Sequence, residues 1–592
     1  MIKFSKTGDY IMSKLNIDQK NILTLFSDKK SDFLIPDYQR PYAWEDTECQ
    51  TLWDDIFEFA IPDNDATKFN TNDEYFLGPI VTFRNKDKDN KLEIIDGQQR
   101  LTTLMLLLRA FYSAFGNMQD QNSINTKKEI EKCIWKTDEF GNPDKDALKI
   151  DSEVATDDDK DEFLTILRTG AALKQHKSKY ADNYRFFQSK IDQFLREYPG
   201  YFSFLPMRVL KNCILLPIEA ETQDTALQIF STLNDRGLPL SDADIFKAQF
   251  YNYYDKQNRK DEFISRWKDL EKTTSEIFHP ATGTPMDELF TRYMYYERAK
   301  QGNKSSTTEA LRKFYEKNKY ALLKREETLV ALEALAKFWN NVFDQNEEVF
   351  SAEVLKSLCV LNFAPNGMWN YLVSVYFLQN QDKDGCLDNQ KFNEFLTIIT
   401  AFIWRYAITN PGVNALRTPA YAEMIKIING TTVDFSEFKV DQDVMKKSLE
   451  NFSFLNSRPI TKSMLAWWAF YNKNQEMLNL ETIFEIEHIF PKKRQEQERS
   501  LSDSKKLELL GNKSLLEKKI NIRASDYRFG DKVKYYRGFE NAKGQHKDGT
   551  HITELLTMSG NQTDFTEHDI DTRNVQILDA FIKFLEENNL LA

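Results

Sequence analysis

Near the end of the chain, ETIFEIEHIFPKK (481–493) sets a carboxylate, Glu487, directly before a histidine, His488, in a β-prone run that Pro491 stops. A carboxylate beside an imidazole can bind a metal ion and activate a water molecule. Downstream, ELLGNKSLLEKKIN (508–521) supplies Asn512 in a Gly-Asn turn and Asn521 nine residues later. A second chemistry-bearing pattern lies near the start, where LEIIDGQQRLTTL (92–104) sets Asp96 and Gly97 at a strand-to-helix turn, with Gln98, Gln99 and Arg100 opening the helix. Free N–H groups at a helix start beside an arginine make an anion site, and phosphate is the fitting guest. Close by, IPDYQRPYAWE (35–45) supplies Gln39, Arg40, Tyr42 and Trp44. Arg40, Arg100 and, further along, Lys247 can neutralise phosphates, Asp96 or Asp242 can hold a cation or water, and Tyr42 and Trp44 offer stacking faces for a base. The competing reading pairs Arg40 and Arg100 with Asp37 and Asp96 to lock the fold, with Trp44 as core. There is no GxxxxGK[ST] loop, which excludes a P-loop NTPase.

Elements must position these groups. Short apolar runs, FLIP, YFLGPIV (75–81) and LEIID (92–96), precede the apolar segment from Leu101, a pattern that predicts a small α/β unit over 31–115. Turn formers at Gly141-Asn142-Pro143 predict a hairpin within 133–150. From about Lys174 to Phe454 the periodicity is mainly helical, as in YADNYRFFQSKIDQFLREY (180–198), which predicts a scaffold of packed helices. A boundary is expected near 452–460, followed by a helix in TKSMLAWWAFYNK. A regular strand would send Glu487 and His488 to opposite faces, so their joint action calls for an irregular strand end near Pro491.

The chain has 592 residues, too many for one hydrophobic core, and its 41% hydrophobic and 29% charged content is that of folded globular domains. Five scattered cysteines form no CxxC pair, excluding a zinc knuckle and fitting a reducing cytoplasm. No secretory signal is visible at the N-terminus, where Met12 offers an alternative start. The run 101–115 is too short and too interrupted by Arg109 to cross a bilayer, so no membrane partner is expected. A net charge of −12 suits DNA coating poorly, yet residues 487–534 hold thirteen Lys and Arg against eight Asp and Glu. The basic stretch coincides with the carboxylate-histidine motif.

The C-terminal motif resembles the ββα-metal, or HNH, nuclease fold, and specifically the GmrD-like domain of modification-dependent (type IV) restriction enzymes. The family pattern, carboxylate-His-Ile-x-Pro, Leu-Gly-Asn-x-x-Leu-Leu, Asn, then Phe-x-x-Lys, is matched by EHIFP, LGNKSLL, Asn521, and Phe529 with Lys532. The resemblance implies His488 as general base, Glu487 and Asn521 as ligands of Mg2+ or Mn2+, Asn512 as holder of the loop that orients His488, and Lys532 as a phosphate contact. Such a cation would stabilise charge on the phosphate and the departing 3′ oxygen. The family often carries Ser-Asn where this chain has Ser525-Asp526, which leaves Asp526 without a role.

The N-terminal motifs resemble the GmrS-like domain, related to ParB and sulfiredoxin and associated with nucleotide binding and hydrolysis. The resemblance carries Gln39, Arg40, Tyr42, Trp44 and Asp96, Gly97, Gln98, Gln99, Arg100, and a third segment, ALQIFSTLNDRGLPLSDADIFKA (226–248), adds Asn234, Gly237, Asp242 and Lys247. It implies a multidomain, predominantly helical α+β protein: a nucleotide-binding sensor over 1–250 with a ParB/sulfiredoxin-like core at 31–115, a helical scaffold over 251–454, and an HNH nuclease over 455–592. The implied partners are double-stranded DNA, above all modified phage DNA, and a nucleoside triphosphate, with ATP, GTP and CTP all open. A homo-oligomer is also open. Two rival readings stand beside this one: a ParB-like, nucleotide-controlled DNA-binding regulator with an inactive nuclease domain, and an RNA-directed HNH toxin.

Overall fold

The computed structural model describes residues 16–592 apart from 87, 117, 173–176, 224, 227–228, 230–240, 304, 306, 308 and 413–414. The chain is mostly helical with a mixed sheet, an α+β architecture, and divides into two compact units, one ending at Lys268 and the other starting at Asp269. Among the described residues no helix is long and apolar enough to cross a membrane.

In the first unit the strands are β1 (Asn16–Ile17), β2 (Lys20–Asn21), β3 (Phe33–Ile35), β4 (Tyr75–Asn85), β5 (Lys91–Asp96), β6 (Trp135–Thr137), β7 (Pro143–Leu148), β8 (Ile150–Ser152) and β9 (Cys213–Ala220). Among the described residues, seven of them form one sheet in the order β1-β9-β4-β5-β3-β8, with β2 also on β9. β4 pairs antiparallel with β5 and parallel with β9, while β3 runs parallel to β5 and β8. β6 and β7 form the expected hairpin around Gly141. The three apolar runs become β3, β4 and β5, but the sheet extends well past 31–115. β9 is the correction: CILLPIEA lies inside the span read as helical. It reads as a continuous apolar run because a strand flanked on both sides loses the alternation that marks a half-exposed one. The helix Gln98–Ala114 follows β5 directly and is buried on nearly every side, from Leu101 to Tyr112. Each such fully buried large apolar side chain stabilises the unit by about 1.5–3 kcal/mol relative to exposure.

The second unit packs helices such as Pro285–Lys300, Met368–Asn380 and Arg417–Ile428 on one another, and Ala352–Leu361 on Asn389–Thr409. The expected helix appears as Pro459–Tyr471. It packs on a hairpin of β10 (Phe484–His488) and β11 (Lys513–Glu517), which the helices Lys518–Ala524 and Phe529–Arg537 and the short pair β12 (Phe539–Glu540) and β13 (His546–Lys547) follow. The last helix, Glu567–Glu587, lies against the turn Leu510–Asn512. There the backbones approach so closely that a Cβ on Gly511 would fall 2.1 Å from the Ile570 carbonyl oxygen, so only glycine fits.

Candidate active site

Asn512 is fully buried and clamps the exit of β10. Its Oδ1 accepts the Phe490 N–H at 2.7 Å, its Nδ2 donates to the carbonyls of Phe490 (3.1 Å) and Leu507 (3.2 Å), and its own carbonyl accepts the Ile489 N–H at 2.9 Å. Arg573 fixes the turn from the other side, donating Nη1 to the carbonyls of Leu510, Gly511 and Lys513 at 2.7–3.0 Å while Glu554 holds its guanidinium. A buried arginine with every contact charge-assisted or to backbone makes a stiff support.

The β10–β11 ladder stays regular through Glu487↔Ser514 and His488↔Lys513, without the irregularity the sequence called for. Alternation along a regular strand therefore sends Glu487 and His488 to opposite faces. On the His488 face stand Lys513, Glu508 and Lys492. Glu508 takes Lys513 at 2.5 Å and Lys492 at 2.9 Å, whereas the His488 Nε2 lies 3.9 Å from it, buried and without a hydrogen bond among the described residues. Burial, then the charges of Lys513 and Lys492, holds the imidazole well below its ordinary value of 6.5, with Glu508 opposing. His488 is thus a neutral base in a cationic corner. Burial works to raise the Glu508 carboxyl, but its two lysine partners outweigh it and keep it ionised.

On the other face Glu487 is buried, and its Oε1 accepts both the Lys532 ammonium and the Tyr536 hydroxyl at 2.6 Å. Lys532, itself buried, also donates to the His488 carbonyl at 2.7 Å, so one ammonium ties the two adjacent residues together at the strand end. Burial raises the Glu487 carboxyl, with Lys532 opposing and Asp526 adding to the rise, which sets Asp526 within electrostatic reach. Asn521 donates Nδ2 to Glu485, two residues before Glu487 and on the same face, at 3.0 Å. Among the described residues no three His, Cys, Asp or Glu side chains gather around one point. The donor set nonetheless suits a hard cation of the two-ligand kind. Glu487 Oε2 and Asn521 Oδ1 are oxygen donors that accept no hydrogen bond among the described residues, and both residues serve the same face.

In the first unit, Gly97 has φ +92°, and a Cβ there would lie 2.5 Å from Ile80 Cγ2, so the turn from β5 into the helix demands glycine. The flanking motif residues divide into two sets. Gln39, Tyr42 and Gln99 are buried and engaged internally: Gln39 with the Ile94 and Ile95 carbonyls, Gln99 with Ala43 N–H and the Pro41 carbonyl, Tyr42 with Thr103 and Asn183. The Tyr42 ring already stacks on Tyr180 at 4.8 Å, and Trp44 packs partly buried against the same core. The other set is charged and less satisfied. Arg40 Nε and Gln98 Oε1 are buried without a partner among the described residues, while Gln98 Nε2 holds the Arg40 carbonyl at 3.1 Å. Arg100 donates to the Pro79 carbonyl at 2.9 Å. Burial raises the Asp96 carboxyl against the Gly97 N–H and the charges of Arg100 and Arg40, and lowers the Arg100 guanidinium against Asp96.

Sequence reading missed Asp244, which burial raises while Arg40 and Lys247 oppose; Lys247 is buried beside it. The available signal was the capping box, Ser241 with Asp244 at the third helical position of Asp242–Asp255. Asp242 opens that helix, and Asn234 and Gly237 lie outside the described residues. Glu508, Lys513 and Tyr536 were missed as well. Tyr536 stands one helical turn beyond Lys532, the spacing that puts both on one face.

Two family models match the chain: "GmrSD restriction endonuclease, N-terminal domain" over residues 22–251 and "GmrSD restriction endonucleases, C-terminal domain" over residues 439–580. No curated protein matches it.

Proposed function

The chain belongs to the GmrSD restriction endonuclease family, a membership that makes DNA its partner, and on that premise we propose that it cuts modified phage DNA at an HNH-type site in its C-terminal domain, under control of a nucleotide bound by its ParB-like N-terminal domain. The observation that carries the cutting step is the neutral, unpartnered His488 imidazole held by the Asn512 clamp between Lys492 and Lys513. His488 takes the proton of the attacking water. Lys492, about half exposed, draws the phosphodiester to the imidazole, while the fully buried Lys513, bonded to the Phe454 carbonyl, Asn456 Oδ1 and Glu508, adds to the positive field. Lys532 keeps Glu487 and the His488 backbone in register, and Asn512 keeps the imidazole aimed. Glu487 and Asn521 would hold one Mg2+ or Mn2+, which supplies Lewis-acid stabilisation of the phosphate and the departing 3′ oxygen.

In the N-terminal domain, Arg40, Arg100 and Lys247 bind the nucleotide phosphates, with Asp96 and Asp244 poised for a cation or water. The support for this is a set of buried charged and polar groups around a glycine-started helix, two of whose atoms, Arg40 Nε and Gln98 Oε1, lack partners among the described residues. In domain terms the reading assigns the sensor to 1–250, a helical scaffold to 251–454 and the nuclease to 455–592. A cleavage assay comparing modified and unmodified phage DNA, and DNA with RNA, with and without ATP, GTP or CTP, tests it. Selective loss of modified DNA in the presence of one nucleotide is expected. Cleavage of RNA alone would favour the toxin reading, and nucleotide-dependent DNA binding without cutting under any metal would favour the regulator.

A further inference from the structure

Where β10 begins, the second unit has a cavity of about 260 Å³ whose lining includes the apolar Phe363, Phe484 and Leu478 and the polar Asn362, Asn479 and Lys462. That volume is below the ~300–1,000 Å³ of pockets for drug-sized ligands, which suits one nucleobase and not a longer segment. Phe363 and Phe484 meet edge to face at 6.0 Å, giving an apolar floor with an aromatic face. Asn362 and Asn479 are exposed at the rim; Asn479 Oδ1 accepts the Glu481 N–H at 2.7 Å, which leaves the Asn479 Nδ2 donor and the Asn362 amide to meet the donor and acceptor edge of a base. Lys462 is half-buried; its ammonium lies 5.6 Å from the Phe363 ring and makes no hydrogen bond or ion pair among the described residues. Holding a cation there with only the distant field of Glu485 to offset it is costly unless an anion arrives. Phe484 is also the first residue of the strand that ends in His488, four steps or roughly 13 Å away, and alternation puts both on one face.

We propose that this cavity receives one base extruded from the substrate DNA strand, with Lys462 on a neighbouring phosphate and the asparagine amides on the base edge. The inference rests on the reading of the chain as a DNA endonuclease and adds where the strand is gripped. Extrusion costs unpairing and unstacking, a cost that a mismatched pair largely removes. The full-length protein, with divalent metal withheld by EDTA to stop cutting, should therefore bind a duplex holding a single mismatch about tenfold more tightly than the matched duplex. Asn479→Trp, which fills the cavity from an exposed rim position, should abolish that preference while matched-duplex binding persists. Lys462→Ala should reduce the slope of log affinity against log salt by about one, and Lys462→Arg should restore it. Thermal melting of each variant checks that it folds. Equal binding of both duplexes by the wild type, or an undiminished preference in a folded Asn479→Trp, would overturn the proposal, and retained DNA cutting alongside that result would leave the endonuclease reading standing. Displacement of the mismatch preference by free deoxynucleoside monophosphate would instead reassign the cavity to a free nucleotide and overturn it too.

Discussion

At the scale of residues, the sharpest consequence concerns the proton balance of His488. Its folded-state value is depressed below 6.5, toward about 4, so the unfolded chain binds the extra proton between those values. Stability from this group is complete above pH 6.5 and is lost as pH falls through that window. The acid limb of the cleavage profile should likewise sit below 6.5, and Lys492→Ala, which removes one of the depressing charges at an exposed position, should move it up toward 6.5. A limb that stays put, measured as single-turnover rate against pH, would count against His488 as the base. Lys532 gives a second test. Removing it by Lys532→Met leaves Glu487 buried without its ion-pair partner, a loss of about 3–5 kcal/mol. Adding Glu487→Gln should recover part of that loss, read in thermal unfolding. The proposed reactive residues, Glu487, His488, Asn512 and Asn521, could be singled out in the sequence because their order and spacing are local. Glu508 and Tyr536 were not, since a carboxylate before a turn and a tyrosine on a helix acquire meaning only when the fold brings them to the strand.

At the scale of elements, the hairpin holds the site, and one glycine, Gly511, and one asparagine, Asn512, set its precision. Asn512→Ala would strand the Phe490 N–H and two carbonyls, each buried orphan costing about 1–3 kcal/mol. Cutting should fall further than melting temperature does, because the His488 exit loses its clamp while the ladder persists. In the first unit, Gly97→Ala meets both a left-handed backbone and Ile80, and should destabilise that unit by at least about 1–3 kcal/mol, read by denaturant unfolding. Apolar runs ending at turn formers disclosed β3, β4 and β5, and the Gly-Asn-Pro turn disclosed the β6–β7 hairpin. β9 stayed hidden because nothing in CILLPIEA alternates, and its parallel partner β4 lies far upstream. The regular end of β10 also differs from the irregular one anticipated: Lys532 ties the Glu487 carboxylate to the His488 carbonyl, while the two side chains stay on opposite faces of the strand.

At the scale of the whole molecule, two units carry two different sets of charged groups, one around Arg40, Asp96, Arg100, Asp244 and Lys247, the other around His488. Arg40→Ala in the first set should weaken nucleoside triphosphate binding by tenfold or more, given about 1.5–3 kcal/mol for a hydrogen bond to a charged group. Calorimetric titration checks it, and unchanged affinity would remove Arg40 from the phosphate site. The proposed nucleotide control would let such a nuclease spare unmodified DNA, and in the sequence it rests only on motifs of both domains standing on one chain. Cleavage itself remains the pivotal matter. Purified full-length protein, with Mg2+ or Mn2+ and its activating nucleotide, should degrade modified DNA, and His488→Ala should lower that rate by about 10²–10⁴-fold while leaving the melting temperature unchanged. Cutting by His488→Ala at the wild-type rate would contradict the account.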